Sequence, residues 1–245
     1  MKVRLKRVDI VQSRMKSALA SALMFLRLTG TSSWHTKRRN SAAPLEPLYP
    51  MSRILARTQT CSLPQVEARL AELGAERLPS SRWRCTCNYL RSEELFVLHT
   101  MEAPSEHFIV TKAAGGGERV LRAGAELEPL IEKAQACAQR LNVLIEGSVY
   151  ACGDFVVRVG QLFLNKGTLT GVAVEVEYLP CTLATAAVAP LAAFIDLLLP
   201  SGERDFCSSE VECFASNDLP CEFTLEHSAL LVVGLMRARL GVPAR

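Results

Sequence analysis

Hydrophobic and polar positions alternate most cleanly over residues 172–178, where Val172, Val174, Val176 and Tyr178 interleave with Ala173, Glu175 and Glu177. A period of two puts the valines on one face of a strand and both carboxylates on the other. Residues 143–151 and 155–164 precede it with strand composition, joined by Gly153-Asp154 and then by Asn165-Lys166-Gly167. Links this short join antiparallel neighbours, because parallel strands need long crossovers. Upstream, residues 83–89, 95–100 and 107–111 read as shorter strands. Gly115-Gly116-Gly117 reads as a turn; without a strand–helix context or a following Lys-Ser/Thr it is no phosphate cradle.

Other segments carry the helical period. Residues 62–74 are well punctuated: Ser62 caps, Pro64 sits in the first turn, Gly74 ends the run, and Leu63, Val66, Leu70 and Leu73 share a face. Residues 126–141 space Leu127, Leu130, Ile131, Ala134, Ala138 and Leu141 as a second helix. The apolar run 183–199 contains Pro190 and Asp196, with Pro190 placed to open the main helix. Its stripe of Leu191, Phe194, Ile195, Leu198 and Leu199 suits packing against a core or a partner rather than a membrane span. Residues 201–222 are loop-like, with a short strand near 211–214, and 224–240 form a final helix stopped by Gly241 and Pro243. Helices around consecutive antiparallel strands predict an α+β fold with a curved sheet or barrel.

Charge divides the chain in two. The whole carries +3, but residues 1–50 hold ten Lys/Arg against Asp9 and Glu46, while residues 51–245 hold eighteen against twenty-three acids, a net −5. An acidic body is a poor grip for nucleic acid, which needs clustered cations to displace counterions. The basic leader reads as a targeting peptide, mitochondrial rather than secretory, or as a poorly ordered extension, or as the product of a translation start upstream of Met51. Pro44, Pro47 and Pro50 make its end a linker. One domain over 51–245 with an appendage is the expected organisation.

The nine cysteines are scattered and odd in number, so a secreted disulfide scaffold is disfavoured. Cys85-Thr86-Cys87 lacks zinc-ligand spacing and shares one strand face; buried, reduced thiols in an intracellular protein are expected. His99, His107 and His227 stand alone, with no nucleophile motif near them, and Asp154 serves its turn. Glu175 and Glu177 are the best catalytic candidates, since two carboxylates about 7 Å apart on one strand face can hold a divalent metal or divide acid and base roles. Triphosphate-tunnel metalloenzymes place an E-x-E-x-K strand inside a barrel lined by cations. Here the lysine position is Leu179, and neighbouring strands supply almost only Arg158 and Lys166, so an exposed polar face or a pairing with Arg158 is the expectation.

Tyr150-Ala-Cys-Gly153-Asp154-Phe155-Val-Val157-Arg158-Val159-Gly160, followed after a loop by Gly171-Val172-Ala-Val174-Glu175-Val176-Glu177-Tyr178-Leu-Pro180-Cys181, resembles the Mediator complex subunit 20 (TRF-proximal protein) family. The family pattern is a G/C-D-F-x-V-K/R-V-G strand, a loop, and a G-V/I-x-V-E-V-E-Y-x-P-C strand. Glu67 to Glu76 also looks like the family's first helix and its L-G-A-E ending. The resemblance runs from Met51 to about Leu199, thins beyond, and leaves residues 1–50 unmatched. It implies an antiparallel β-barrel flanked by helices and a non-enzymatic subunit of the Mediator head module in the nucleus, linking activators to RNA polymerase II. It further implies pairing with a subunit 18 homologue and tethering through subunit 8, with no cofactor, small-molecule substrate, sequence-specific nucleic acid or membrane. The motif residues are then structural: Gly153 and Gly160 permit turns or bulges, Phe155, Val157 and Val159 pack the barrel, and Tyr178 to Pro180 end a strand. Leu191, Phe194, Ile195 and Leu198 form the candidate partner-facing stripe, being broader than one barrel face requires.

Overall fold

Alternation in the most regular strand decides where the layers lie. In the computed structural model, described for residues 52–90, 94–113, 117–127, 129, 139–165, 167–181, 184–208, 217, 219–220 and 222–240, that strand is β8 (Thr168–Tyr178). The others are β1 (Ser52–Thr58), β2 (Glu76–Leu90), β3 (Leu95–Thr100), β4 (Glu106–Lys112), β5 (Glu118–Gly124), β6 (Gln139–Cys152), β7 (Phe155–Leu164) and β9 (Phe206–Ser208). All pair antiparallel in one sheet of order β5-β4-β3-β2-β6-β7-β8-β1-β9. The hairpins expected at Gly153-Asp154 and at residues 165–167 join β6 to β7 and β7 to β8.

Three helices cover the sheet: α1 (Leu63–Glu72), α2 (Ala184–Leu198) and α3 (Leu225–Arg239). Helices α1 and α2 bury Val66, Leu70, Leu191 and Ile195 with Val157, Val159, Val174 and Val176 on the convex face. On the opposite face, α3 packs Leu231, Leu235 and Met236 into a core with Trp83, Cys85, Cys87, Phe96, Phe108 and Ile145. A third cluster joins Val97 and Ile109 to Leu127 of the short 3-10 turn Ala125–Leu127.

The sheet curls strongly. Glu102, just after β3, lies 2.7 Å from Arg53 of β1, five places along the strand order. In a flat sheet those strands would be about 24 Å apart. Helix α3 spans the mouth of the curl, packing on β1 and β9 at one end of the order and β4 and β5 at the other. Arg122 of β5 pairs with Glu226 near the start of α3, and Arg237 near its end pairs with Glu118 of β5. The antiparallel, curved α+β architecture is as expected, but the described strands do not close into a barrel: β5 and β9 are the ends of the order.

Four sequence expectations change. Of the helix expected over 126–141, residues 130–138 lie outside the described residues and Gln139 to Leu141 belong to β6, because Leu141 and Gln139 pair with Tyr89 and Leu90. Strand β5 was not anticipated; its sequence ERVLRAG lacks a clean apolar face. Pro190 lies inside α2 rather than opening it. Leu191, Phe194, Ile195 and Leu198 turn inward, at 7% exposure or less, so the breadth of the stripe serves this chain's own core, and Leu197, outside that stripe, is 66% exposed. The leader, most of Gly115 to Gly117 and the strand expected at 211–214 lie outside the described residues.

Candidate functional site

Glu175 and Glu177 leave β8 on the face opposite its valines, and both are buried, at 3% and 2% exposure. Antiparallel register supplies each with an arginine directly across a strand pair: Arg158 of β7 faces Glu175, and Arg53 of β1 faces Glu177. The guanidiniums reach both carboxylates. Arg158 Nη1 lies 2.6 Å from Glu177 and 3.2 Å from Glu175, and Arg53 lies 3.2 Å from Glu175 and 3.1 Å from Glu177.

Glu102, in the turn between β3 and β4, closes the cluster. Its Oε1 accepts hydrogen bonds from Arg53 Nη2 at 3.0 Å and Arg158 Nη2 at 2.7 Å, and its Oε2 accepts one from Arg53 Nη1 at 2.7 Å. From α3, Ser228 Oγ accepts a bond from Arg53 Nη1 at 3.3 Å. The Phe223 ring lies under the same guanidinium at 5.8 Å.

Three carboxylates thus share two guanidiniums, with Glu175 and Glu177 buried and the Glu102 side chain 27% exposed at the rim. Burial pushes the Glu175 carboxyl above the usual carboxylate range; Arg53 and Arg158 act against this, and Glu102 and Glu177 add to it. For Glu102 burial also works upward, but the two arginines outweigh it and hold the carboxyl low. Burial, with Glu175 and Glu102 nearby, pushes the Cys85 thiol up to about 12, so it is no nucleophile.

Beside the network, between Trp83, Cys85, Glu102 and α3, the free space is about 20 Å³. That admits one water and no phosphate chain. The carboxylates expected either to face solvent or to meet Arg158 are therefore buried, and Arg158 is one of two partners. Among the described residues no group of three or more His, Cys, Asp or Glu is arranged to hold a metal ion. Cys61, Cys85, Cys87, Cys152, Cys181 and Cys207 are free thiols, and Cys85 and Cys87 do share the concave face.

The apolar side chains of the two-strand motif lie on the other face of the sheet from this network. Tyr150 donates a hydrogen bond to Glu67 Oε1 of α1 at 2.7 Å. Gly153 turns at φ +56, and the Asp154 carbonyl accepts from the Leu179 amide at 3.0 Å. Phe155 stacks on Phe194 at 4.3 Å and leans on Tyr178 at 5.1 Å, tying β7, β8 and α2 together. Val157, Val159, Val174 and Val176 are fully buried.

Gly160 faces Gly147 across β6 and β7, where a Cβ on Gly160 would lie 2.8 Å from the Glu146 carbonyl oxygen. Gly171 adopts φ +147 against the Thr58 carbonyl. Pro180 lies in the exposed turn after β8. Sequence reasoning missed Arg53 and Glu102. The one available signal was the charge imbalance of an E-x-E strand with a single arginine beside it.

His227 also escaped assignment. The Thr224 amide donates to its Nδ1 at 2.9 Å and its Nε2 reaches the Pro220 carbonyl at 3.1 Å, so it caps α3. Among the described residues no helix is long and apolar enough to cross a membrane.

The family described as "TATA-binding related factor (TRF) of subunit 20 of Mediator complex" matches residues 57–232. "Mediator of RNA polymerase II transcription subunit 20b" of Arabidopsis thaliana is 28% identical over 111 residues, 40% of this chain and 49% of the relative. The chain thus spans about half the length of the curated relative it matches. Among solved structures, the Schizosaccharomyces pombe Mediator head module gives a TM-score of 0.36 at 13% identity, covering 60% of this chain and 94% of that one. A Vibrio parahaemolyticus protein provisionally described as an adenylate cyclase gives 0.38 at 13% identity, covering 68% and 98%. Neither structural likeness bears on function. The family match spans β2 to β8 whole, with both strands of the motif and the ion pairs between them, and the chain belongs to the Mediator subunit 20 family.

Proposed function

We propose that this protein is a non-enzymatic subunit of the Mediator head module, a protein-interaction scaffold in RNA polymerase II transcription that works in the nucleus. One observation carries the reading beyond family membership. The best catalytic candidates in the motif, Glu175 and Glu177, are held by Arg53 and Arg158 under α3 with room for a single water beside them. A tunnel-type phosphohydrolase needs those carboxylates open to a metal and flanked by cations facing a polyanion. In this chain the cations face the carboxylates instead.

A body with twenty-three acids against eighteen Lys/Arg over residues 51–245 suits protein partners better than nucleic acid. The partners we propose are a subunit 18 homologue, as a heterodimer, with subunit 8 and other head-module subunits. Residues 51–245 are the working domain and residues 1–50 an appendage. Affinity purification of the full-length chain from nuclear extract, with mass spectrometry of what accompanies it, tests this. Recovery of subunits 18 and 8 is expected. A chain that elutes alone from an extract containing intact Mediator refutes the reading. Release of phosphate from tripolyphosphate with Mn²⁺ or Mg²⁺, lost in Glu175→Gln, would replace it with the phosphohydrolase.

A further inference from the structure

At the end of the sheet remote from the ion network lies a cleft of about 770 Å³. It opens where β1 ends, β8 begins, α1 starts and α3 stops. Among the described residues its walls carry Arg57 and Arg239 and no carboxylate, although residues 51–245 are acidic overall. Asp205 binds Arg57 Nη1 at 2.9 Å without lining the cleft. Glu203, which Cys61 Sγ contacts, is turned to Arg69 at 2.5 Å.

Arg239 is exposed and makes no ion pair among the described residues. Helix α1 presents Ser62 to Gln65 to the cleft and has no acidic residue in its first turn, where the partial positive charge of the helix usually attracts one. Leu63, Leu164, Leu169 and Leu240 supply an apolar wall, with Leu169 at 53% exposure. Burial lowers the Arg57 guanidinium from its ordinary value, Asp205 opposes this, and Arg239 adds to it. Arg57 is itself buried, at 1% exposure, and held by Asp205 and the Thr170 carbonyl, so Arg239 is the cation that the described lining turns to solvent.

We propose that this cleft docks an acidic, leucine-bearing segment of a partner protein, with its carboxylates near Arg239 and its apolar side chains on the leucine wall. The proposal rests on reading the chain as an interaction subunit and names the chemistry of one partner. A nucleic acid would need a run of cations where this cleft has two. A free anion would leave the leucines uncovered. An acidic segment with leucines satisfies both halves of the lining.

The test is fluorescence anisotropy of the full-length chain with a fluorescein-labelled Asp-Leu-Glu-Glu-Leu-Leu-Asp-Glu peptide and with its Asn/Gln amide copy. Arg239→Glu and Leu169→Asp alter exposed side chains, so circular dichroism is expected to match the parent. The acidic peptide is expected to bind, and to lose about tenfold in affinity in each variant and in the amide copy. No binding by the parent chain, or equal binding by parent and Arg239→Glu, overturns the proposal. The same variants enter the Mediator purification. Subunits recovered without peptide binding would remove the cleft and leave the scaffold; peptide binding without subunits would do the reverse.

Discussion

Arg158 lies directly across from Glu175 in the pairing of β7 with β8, and one of its nitrogens contacts both Glu175 and Glu177. The two halves of the strand pattern are therefore joined by charge as well as by backbone. Arg158→Met would leave three carboxylates, two of them buried, with one guanidinium. It is expected to cost about 3–5 kcal/mol in chemical denaturation, the usual effect of stranding a buried charge. Glu175→Gln instead leaves two carboxylates and two guanidiniums. Its carboxyl is already pushed toward the neutral form by burial, so that variant should stay within about 1 kcal/mol of the parent. If the two substitutions cost the same, the network is not short of positive charge.

Glycines at superficially similar positions should behave in opposite ways. A Cβ on Gly147 would overlap the Val159 carbonyl and the Gly160 Cα, with only backbone to move. Gly147→Ala should therefore cost about 3 kcal/mol or more. Gly153 has φ +56 and nothing within 4 Å of an added Cβ. Gly153→Asn, a residue that tolerates the left-handed region, should lie within about 1 kcal/mol of the parent. Urea midpoints for the pair check both expectations.

How far the sequence revealed this arrangement depends on whether the deciding partner is local. Valines at every second position, with short links at Gly153-Asp154 and at residues 165–167, placed β7 and β8 correctly, because alternation and turn chemistry are properties of neighbours along the chain. Strand β1 is different. Arg53 and Arg57 alternate with Ile54 and Ala56 as though one face met water, yet every residue of the strand is buried. Partners brought in from far along the chain, Glu102, Glu175 and Glu177 for Arg53 and Asp205 and the Thr170 carbonyl for Arg57, make those arginines interior residues. The start of β6 failed for the same reason: Ala-rich spacing suggested a helix, and pairing with Tyr89 and Leu90 decided otherwise. The cleft was invisible because Arg57 and Arg239 meet only in three dimensions.

Adjacent leucines near the end of α2 separate an inward stripe from a partner-facing one. Leu198 is fully buried against the sheet and α1, while Leu197 is 66% exposed. Leu198→Ala should destabilise the isolated chain by about 2–5 kcal/mol, as deletion of a core leucine does. Leu197→Ala should change stability by less than about 0.5 kcal/mol. Thermal denaturation of the purified variants distinguishes them. Equal, small effects would return the stripe to the list of partner surfaces.

His227 gives the fold a defined response to acid. Its Nδ1 accepts the Thr224 amide, which leaves the ring proton on Nε2 facing the Pro220 carbonyl. Protonation would put a hydrogen on Nδ1, where the amide already points, and break the cap of α3. Burial, set against the Pro220 carbonyl, Glu226 and the Thr224 backbone, holds the imidazole below its ordinary value. The unfolded chain then takes up the proton first. Stability is full above the ordinary histidine range near pH 6.5 and declines as pH falls from there toward the lower folded value. His227→Gln keeps a residue that closes a capping box at this position but removes the titration. Its urea midpoint should vary less than the parent's between pH 7 and pH 5, while the two agree within about 1 kcal/mol at pH 7. Parallel pH profiles for parent and variant would show that His227 is not the group that titrates.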